Sequence, residues 1–200
     1  LVVDESSVLR QVGLGPDGHE ATVDVEAHWY PLAFPTYGEG DPYLPAPLRI
    51  THDDGTLTTR LTVRSIRRDE RSDGERIVIT LADESVGLTV DMHIRTHPVS
   101  GVVEQHLVIQ HDQAGPVVLH DYDSICPLLL VAETAELVQF GGSGWADEWR
   151  WTTQHVGPGT TSLTSLGGLQ PHLQRSPVAL LSPNGPAGER DGDVIGVSVA

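Results

Sequence analysis

The sequence predicts an all-β fold, an antiparallel sandwich or barrel, on three observations. Hydrophobic residues recur with period two in at least six segments. Turn-forming residues separate those segments at roughly 10-residue spacing. No long helical pattern lies between them. In chain order, Val23, Val25 and Ala27 alternate with Thr22, Asp24 and Glu26, which predicts a strand over Thr22 to Ala27. Leu57, Thr59, Leu61 and Val63 alternate with Thr58, Arg60, Thr62 and Arg64. Ile77, Ile79 and Leu81 share one face, as do Leu88, Val90, Met92 and Ile94. Val103, Leu107 and Ile109 oppose Glu104, His106 and Gln110, with Val108 on the polar side. Val131 to Val138 reads as a turn and a strand, and Val194, Gly196, Val197 and Val199 predict a last strand. Asp53-Asp54-Gly55, Asp73-Gly74, Gln113 to Pro116 and Asn184-Gly185-Pro186 supply the turns. Tyr30 to Pro47, with five prolines, predicts an irregular loop. Its aromatic neighbours Trp29, Tyr30, Phe34, Tyr37 and Tyr43 predict that it packs on another domain or subunit.

Composition narrows the function. The 200 residues suffice for one large domain. The formal net charge is −16, from 28 acids against 12 bases, and the longest basic stretch is Arg67-Arg68. A nucleic-acid partner needs a basic face to meet phosphates, and an anionic membrane surface is disfavoured for the same reason. No apolar run approaches the ~18 residues of a membrane span. The single cysteine, Cys126, excludes an intramolecular disulfide and sits in an apolar run that predicts a buried, inert thiol. The start, Leu1-Val2-Val3-Asp4, has neither a basic stretch nor a long apolar one, so the expectation is a cytoplasmic protein.

Several chemical motifs fail on inspection. Gly13-x-Gly15-x-x-Gly18 matches the dinucleotide fingerprint by letters, but the fingerprint needs a helix after the third glycine and a strand is predicted there. His93 and His97, four apart on a strand, stand roughly 13 Å apart, too far for one zinc ion. His106 and His111 have opposite parity; His120, Asp121 and Asp123 split between faces. Asp53-Asp54-Gly55 and Glu189 to Asp193 lack calcium-loop spacing, and Gly142-Ser143-Gly144 misses the nucleophile elbow because Trp145 replaces the final glycine. Neither a metal nor a cofactor is expected.

The segment Gly141 to Trp151 stands out. Trp145, Trp149 and Trp151 fall within seven residues and share parity. Two of the three are expected in the core, since a tryptophan hides about 150–250 Å². The third, beside flexible glycines, is expected to offer its ring to the C–H face of a sugar.

Phe34-Pro35-Thr36-Tyr37-Gly38-Glu39-Gly40-Asp41 with Pro45-Ala46 resembles the "FPxYGxGDxRxPA" segment of glycoside hydrolase family 36, the α-galactosidases or melibiases. Further matches follow in family order. Ile77 to His97 resembles its "LEITLxDxxxGLxVxLxY" strand pair, Gly144 to Glu148 its "GAWARER" segment and Gly157 to Thr160 its "LxPGxQ" turn. Pro177 to Leu181 and Gly192 to Val199 resemble the "PFxAL" and "GEVYGFSLV" strands. The family's arginine after "GDF" is absent, Asp41-Pro42-Tyr43-Leu44 standing there.

The resemblance spans essentially the whole chain. It implies a large two-sheet antiparallel supersandwich, galactose-mutarotase-like, with little helix. Residues 1–200 would then be the N-terminal domain of a retaining α-galactosidase, trimmed at its ends, with a catalytic (β/α)₈ barrel after residue 200. The family's two catalytic carboxylates come from that barrel, so no catalytic residue is expected in this chain. The domain would shape the sugar pocket and the interface of a homo-oligomer, a tetramer by resemblance. The partners would be α-galactoside oligosaccharides and the chain's own barrel. Trp145 matches the tryptophan that lines the galactose subsite, and Asp41 is the second expected sugar contact. Trp149 and Trp151 are then the core candidates. The alternative is a non-catalytic β-sandwich carbohydrate-binding or docking module.

Overall fold

The structure, a computed structural model, describes residues 1–14, 26–39, 46–127, 129, 131–142, 146–147, 150–164 and 175–198. These form strands, turns and one short 3-10 helix, Ala27–Trp29; every strand pairing is antiparallel. The chain divides into two compact units, Leu1–Leu128 and Leu129–Ala200. No helix among the described residues is long and apolar enough to cross a membrane.

The first unit is built on a four-stranded meander. Its strands β4 (Thr62–Arg71), β5 (Gly74–Asp83), β6 (Leu88–His97) and β7 (Val102–His111) follow one another in sequence and in space. The alternation read from the sequence holds here. Ile79 pairs with Met92 and Leu81 with Val90, and all four are buried. Strands β1 (Val2–Val3), β2 (Leu9–Arg10), β3 (Leu48–Thr51) and β8 (Val118–Tyr122) form two small pairs, β1 with β2 and β3 with β8. Leu9, Ala33, Phe34, Leu48, Ile50 and Leu61 join the buried face of the meander in one hydrophobic cluster. Burying each large aliphatic side chain contributes about 1.5–3 kcal/mol.

Polar groups fix the chain's entry into this core. Asp4 is buried and accepts N–H bonds from Ser6 and Val8, both 2.9 Å, while its other oxygen lies 2.8 Å from Arg10 Nε. Burial pulls the Asp4 carboxyl upward, but these hydrogen bonds and the guanidinium charge outweigh it and hold it below the usual carboxylate range. Arg10 reaches on to the Tyr30 carbonyl at 3.1 Å and so ties β2 to the segment that follows the short helix.

The second unit holds a four-stranded sheet in the order β10-β9-β11-β12, with β9 Glu136–Gly141, β10 Arg150–His155, β11 Arg175–Ser182 and β12 Ile195–Ser198. Gly185 occupies the left-handed region at φ +113° in the Asn184-Gly185-Pro186 turn, the conformation glycine adopts without steric cost.

Four expectations are corrected. The strand predicted over Thr22 to Ala27 is not formed at its described end, where Ala27 opens the 3-10 helix; residues 22–25 lie outside the described residues. The strand predicted from Leu57 begins only at Thr62; Thr59 and Leu61, just before it, are buried, and Thr59 N–H bonds the Tyr37 carbonyl instead of a ladder partner. Trp151 is 70% exposed on β10 rather than in a core, because β10 is an edge strand and both of its faces are uncovered among the described residues. Cys126 is half-buried rather than buried; burial, with the nearby Asp123 charge, pushes its thiol up, which fits an inert group.

Candidate functional site

The best-defined polar constellation is the turn at Thr36–Glu39, inside the segment that resembles the family. Its foundation is apolar: Phe34 is 4% exposed and Pro35 is fully buried. The backbone is held on both sides. Tyr37 N–H donates to the Leu48 carbonyl and Thr59 N–H to the Tyr37 carbonyl, both at 3.1 Å. Glu39 N–H closes the turn on the Thr36 carbonyl at 3.2 Å. Gly38 takes φ +86°, and a Cβ there would stand 2.7 Å from Thr58 Oγ1 and 3.0 Å from Thr58 Cα. Only glycine satisfies both the dihedral and the close approach.

The side chains inside this turn form a relay. Thr36 Oγ1 lies 2.9 Å from Glu39 Oε2 and 2.5 Å from the Thr59 carbonyl oxygen. Thr36 N–H also points to Glu39 Oε2, at 3.3 Å. Burial raises the Glu39 carboxyl above the ordinary glutamate range; the Thr36 hydrogen bonds and the charges of Arg10 and Arg60 offset only part of that. Behind Thr59 sits His52, 2% exposed, with Nε2 2.9 Å from Thr59 Oγ1 and Nδ1 3.1 Å from Gln113 Nε2. Asp53 N–H donates to Gln113 Oε1 at 3.0 Å, which turns the amide NH₂ toward His52. Nδ1 thus faces the Gln113 amide NH₂ and Nε2 the Thr59 hydroxyl. The sequence named Phe34 to Asp41 as a motif but gave no sign of His52 or Gln113, which sit far from it along the chain.

The two residues expected to touch sugar, Asp41 and Trp145, lie outside the described residues, as does Trp149. Asp41 follows Glu39 by two positions. Trp145 falls in the connection between Gly141 and Arg150, which face each other at the ends of β9 and β10. On its far side Ala146 takes φ +66°, and Arg150 Nη2 holds both Asp147 oxygens at 2.9 Å. Gly15 and Gly18 of the dinucleotide-like letters also lie outside the described residues.

Leu32, Ala33, Phe34 and Thr36 are buried within this chain itself, whereas Trp29 and Tyr37 are exposed. The histidines meet partners the sequence did not pair: His93 stacks on His106 across β6 and β7, ring centres 4.6 Å apart, and His97 Nε2 lies 3.0 Å from Glu104. Among the described residues no three metal-ligating side chains converge.

Comparison with known proteins agrees with this architecture. The family model for the glycosyl hydrolase family 36 N-terminal domain matches residues 10–200. No curated protein matches the chain. Among solved structures it is similar to the family 36 α-galactosidase AgaB of Geobacillus stearothermophilus, at TM-score 0.74 and 19% identity over 96% of this chain and 28% of that one. It is also similar to the α-galactosidase of Lactobacillus brevis, at TM-score 0.69 and 21% identity over 79% of this chain and 23% of that one. The galactosidase domain of the α-galactosidase–sucrose kinase AgaSK gives TM-score 0.69 and 21% identity, over 89% of this chain and 26% of that one. The chain thus spans about a quarter of the length of these relatives. At such identities the structures attest the fold, and the family model, matched over nearly the whole length, attests the kinship: the chain belongs to the glycosyl hydrolase family 36 N-terminal domain family.

Proposed function

We propose that this chain is the N-terminal domain of a retaining α-galactosidase that hydrolyses terminal α-galactosyl residues of oligosaccharides. The observation that carries the reading is the family match over residues 10–200, seconded by likeness to α-galactosidases over 96% of the chain. One such neighbour, AgaA of Geobacillus stearothermophilus, is solved with raffinose and with stachyose. Retention requires a nucleophilic carboxylate and an acid/base carboxyl about 5–5.5 Å apart across the scissile bond. In this reading a (β/α)₈ barrel supplies both, and the present domain supplies a wall of the sugar pocket and an oligomer interface. Trp145 stacks on the galactose ring and Asp41 accepts a sugar hydroxyl.

The test is Trp145→Ala in the parent enzyme. Covering about 100 Å² of indole contributes on the order of 2.5 kcal/mol, so KM for a galactoside rises by roughly 5- to 150-fold for a loss of about 1–3 kcal/mol. The melting temperature stays close to that of the parent. An unchanged KM with a lowered melting temperature places Trp145 in the core and removes it from the site. The 200 residues alone should show neither hydrolysis nor galactoside binding in calorimetry; binding by them alone would overturn the enzyme-domain reading in favour of a carbohydrate-binding module.

A further inference from the structure

The Thr36–Glu39 turn is fixed from below and polar above. Beneath it Thr36, Thr59 and His52 are buried and bonded in a row. Tyr37 is held by one backbone hydrogen bond on either side, and Gly38 leaves no room for a Cβ against Thr58. Yet Tyr37 itself is 45% exposed. A side chain carried on so constrained a backbone loses little further freedom when it meets a ligand.

The rim of this turn carries three other kinds of group. Thr58 is exposed, its Oγ1 next to Gly38. Glu39 spends Oε2 on Thr36, while its Oε1 has no hydrogen-bond partner among the described residues. Arg60 follows Thr59, whose N–H bonds the Tyr37 carbonyl, and its charge acts on Glu39. Its guanidinium is exposed and makes no ion pair among the described residues. One short stretch of surface therefore offers an aromatic ring, an acceptor, a cationic donor and a hydroxyl.

This mixture selects a class of ligand. A polyanion is repelled by Glu39 and by a chain of net charge −16. A wholly apolar partner would strip water from Glu39 and Arg60 without replacing its hydrogen bonds. A neutral saccharide suits every group: its C–H face covers a ring, and its hydroxyls donate to the carboxylate and accept from the guanidinium, bonds strengthened by the charge on each. We propose that Tyr37, Thr58, Glu39 and Arg60 form a saccharide-binding surface, on which the Tyr37 ring stacks against one unit of an oligosaccharide while Glu39 and Arg60 hold its hydroxyls. That the oligosaccharide is an α-galactoside rests on the function proposed above; the surface itself does not.

The test uses the parent enzyme with raffinose, binding being read by saturation-transfer NMR and hydrolysis by initial rates. Tyr37→Ala should raise KM about tenfold, the change expected when roughly 55 Å² of ring goes uncovered, with kcat and melting temperature unchanged. Tyr37→Phe, which keeps the ring, should match the parent, and Arg60→Ala should also raise KM. If Tyr37→Ala fails to fold, Arg60→Ala, at an exposed side chain, decides alone. Hydrolysis with KM unchanged in the variants overturns the surface and leaves the proposed function standing. A parent that binds raffinose through Tyr37 without hydrolysing it overturns that function and upholds the surface; one that neither binds nor hydrolyses it overturns both. If Tyr37→Ala sediments as a smaller species at unchanged KM, Tyr37 is a subunit contact and the surface is likewise overturned.

Discussion

The two units treat the same sequence pattern differently. In Leu1–Leu128 the meander strands run ten residues each, and one face is closed by side chains from β2, β3 and the irregular segment around Phe34. In Leu129–Ala200 the described strands run four to eight residues, and Ala135 is the one described hydrophobic that counts as fully buried apart from proline. Trp151, Val194 and Val197 are exposed there. Alternation thus suffices to make a strand, while a core needs a second layer supplied from elsewhere in the chain. In the first unit much of that layer is not strand at all: Ala33 and Phe34 belong to a proline-rich loop.

Core truncation should show the contrast most strongly. Leu48 is 1% exposed within the cluster, so Leu48→Ala should cost about 2–5 kcal/mol in denaturant unfolding. A cost below about 1 kcal/mol would mean that the cluster is not a packed core. Gly38→Ala probes the loop that closes it. The substitution combines a left-handed φ with a Cβ against the Thr58 backbone, and about 1–3 kcal/mol is expected, read as a lower melting temperature. The smallest effect belongs to the second unit: Trp151→Ala should change stability by no more than about 0.5 kcal/mol. If it instead destabilises as strongly as Leu48→Ala, the contrast between the units breaks, because another surface then covers that face of β10.

Much of this was legible beforehand where local pattern decides. The parity of Ile79 and Leu81 on β5, and of Leu88, Val90 and Met92 on β6, follows from alternation alone, and Asp73-Gly74 marks their hairpin neighbour. Trp151 was misread because an edge strand and a central strand have the same letters; neighbours decide burial, and neighbours are set by strand order. Thr59 shows the converse. It is buried without belonging to a strand, since its oxygens and N–H are satisfied by His52, Thr36 and Tyr37, residues 7 to 23 positions away. The contacts of Glu39 with Thr36 were readable only as neighbouring letters of a motif, because the distances between them are set by folding.

Strand β4 lies at one margin of its sheet, and six of its ten residues are charged: Arg64, Arg67, Arg68, Asp69, Glu70 and Arg71. Its salt bridges, such as Arg71 to Asp69 at 2.8 Å, are exposed and add little to stability. Their consequence lies between molecules. A free sheet margin is a template on which another chain can polymerise strand by strand, and a row of guanidinium and carboxylate groups makes that addition costly, because each would have to shed its water. The charges of β4 thus oppose strand-by-strand addition of another chain at that margin.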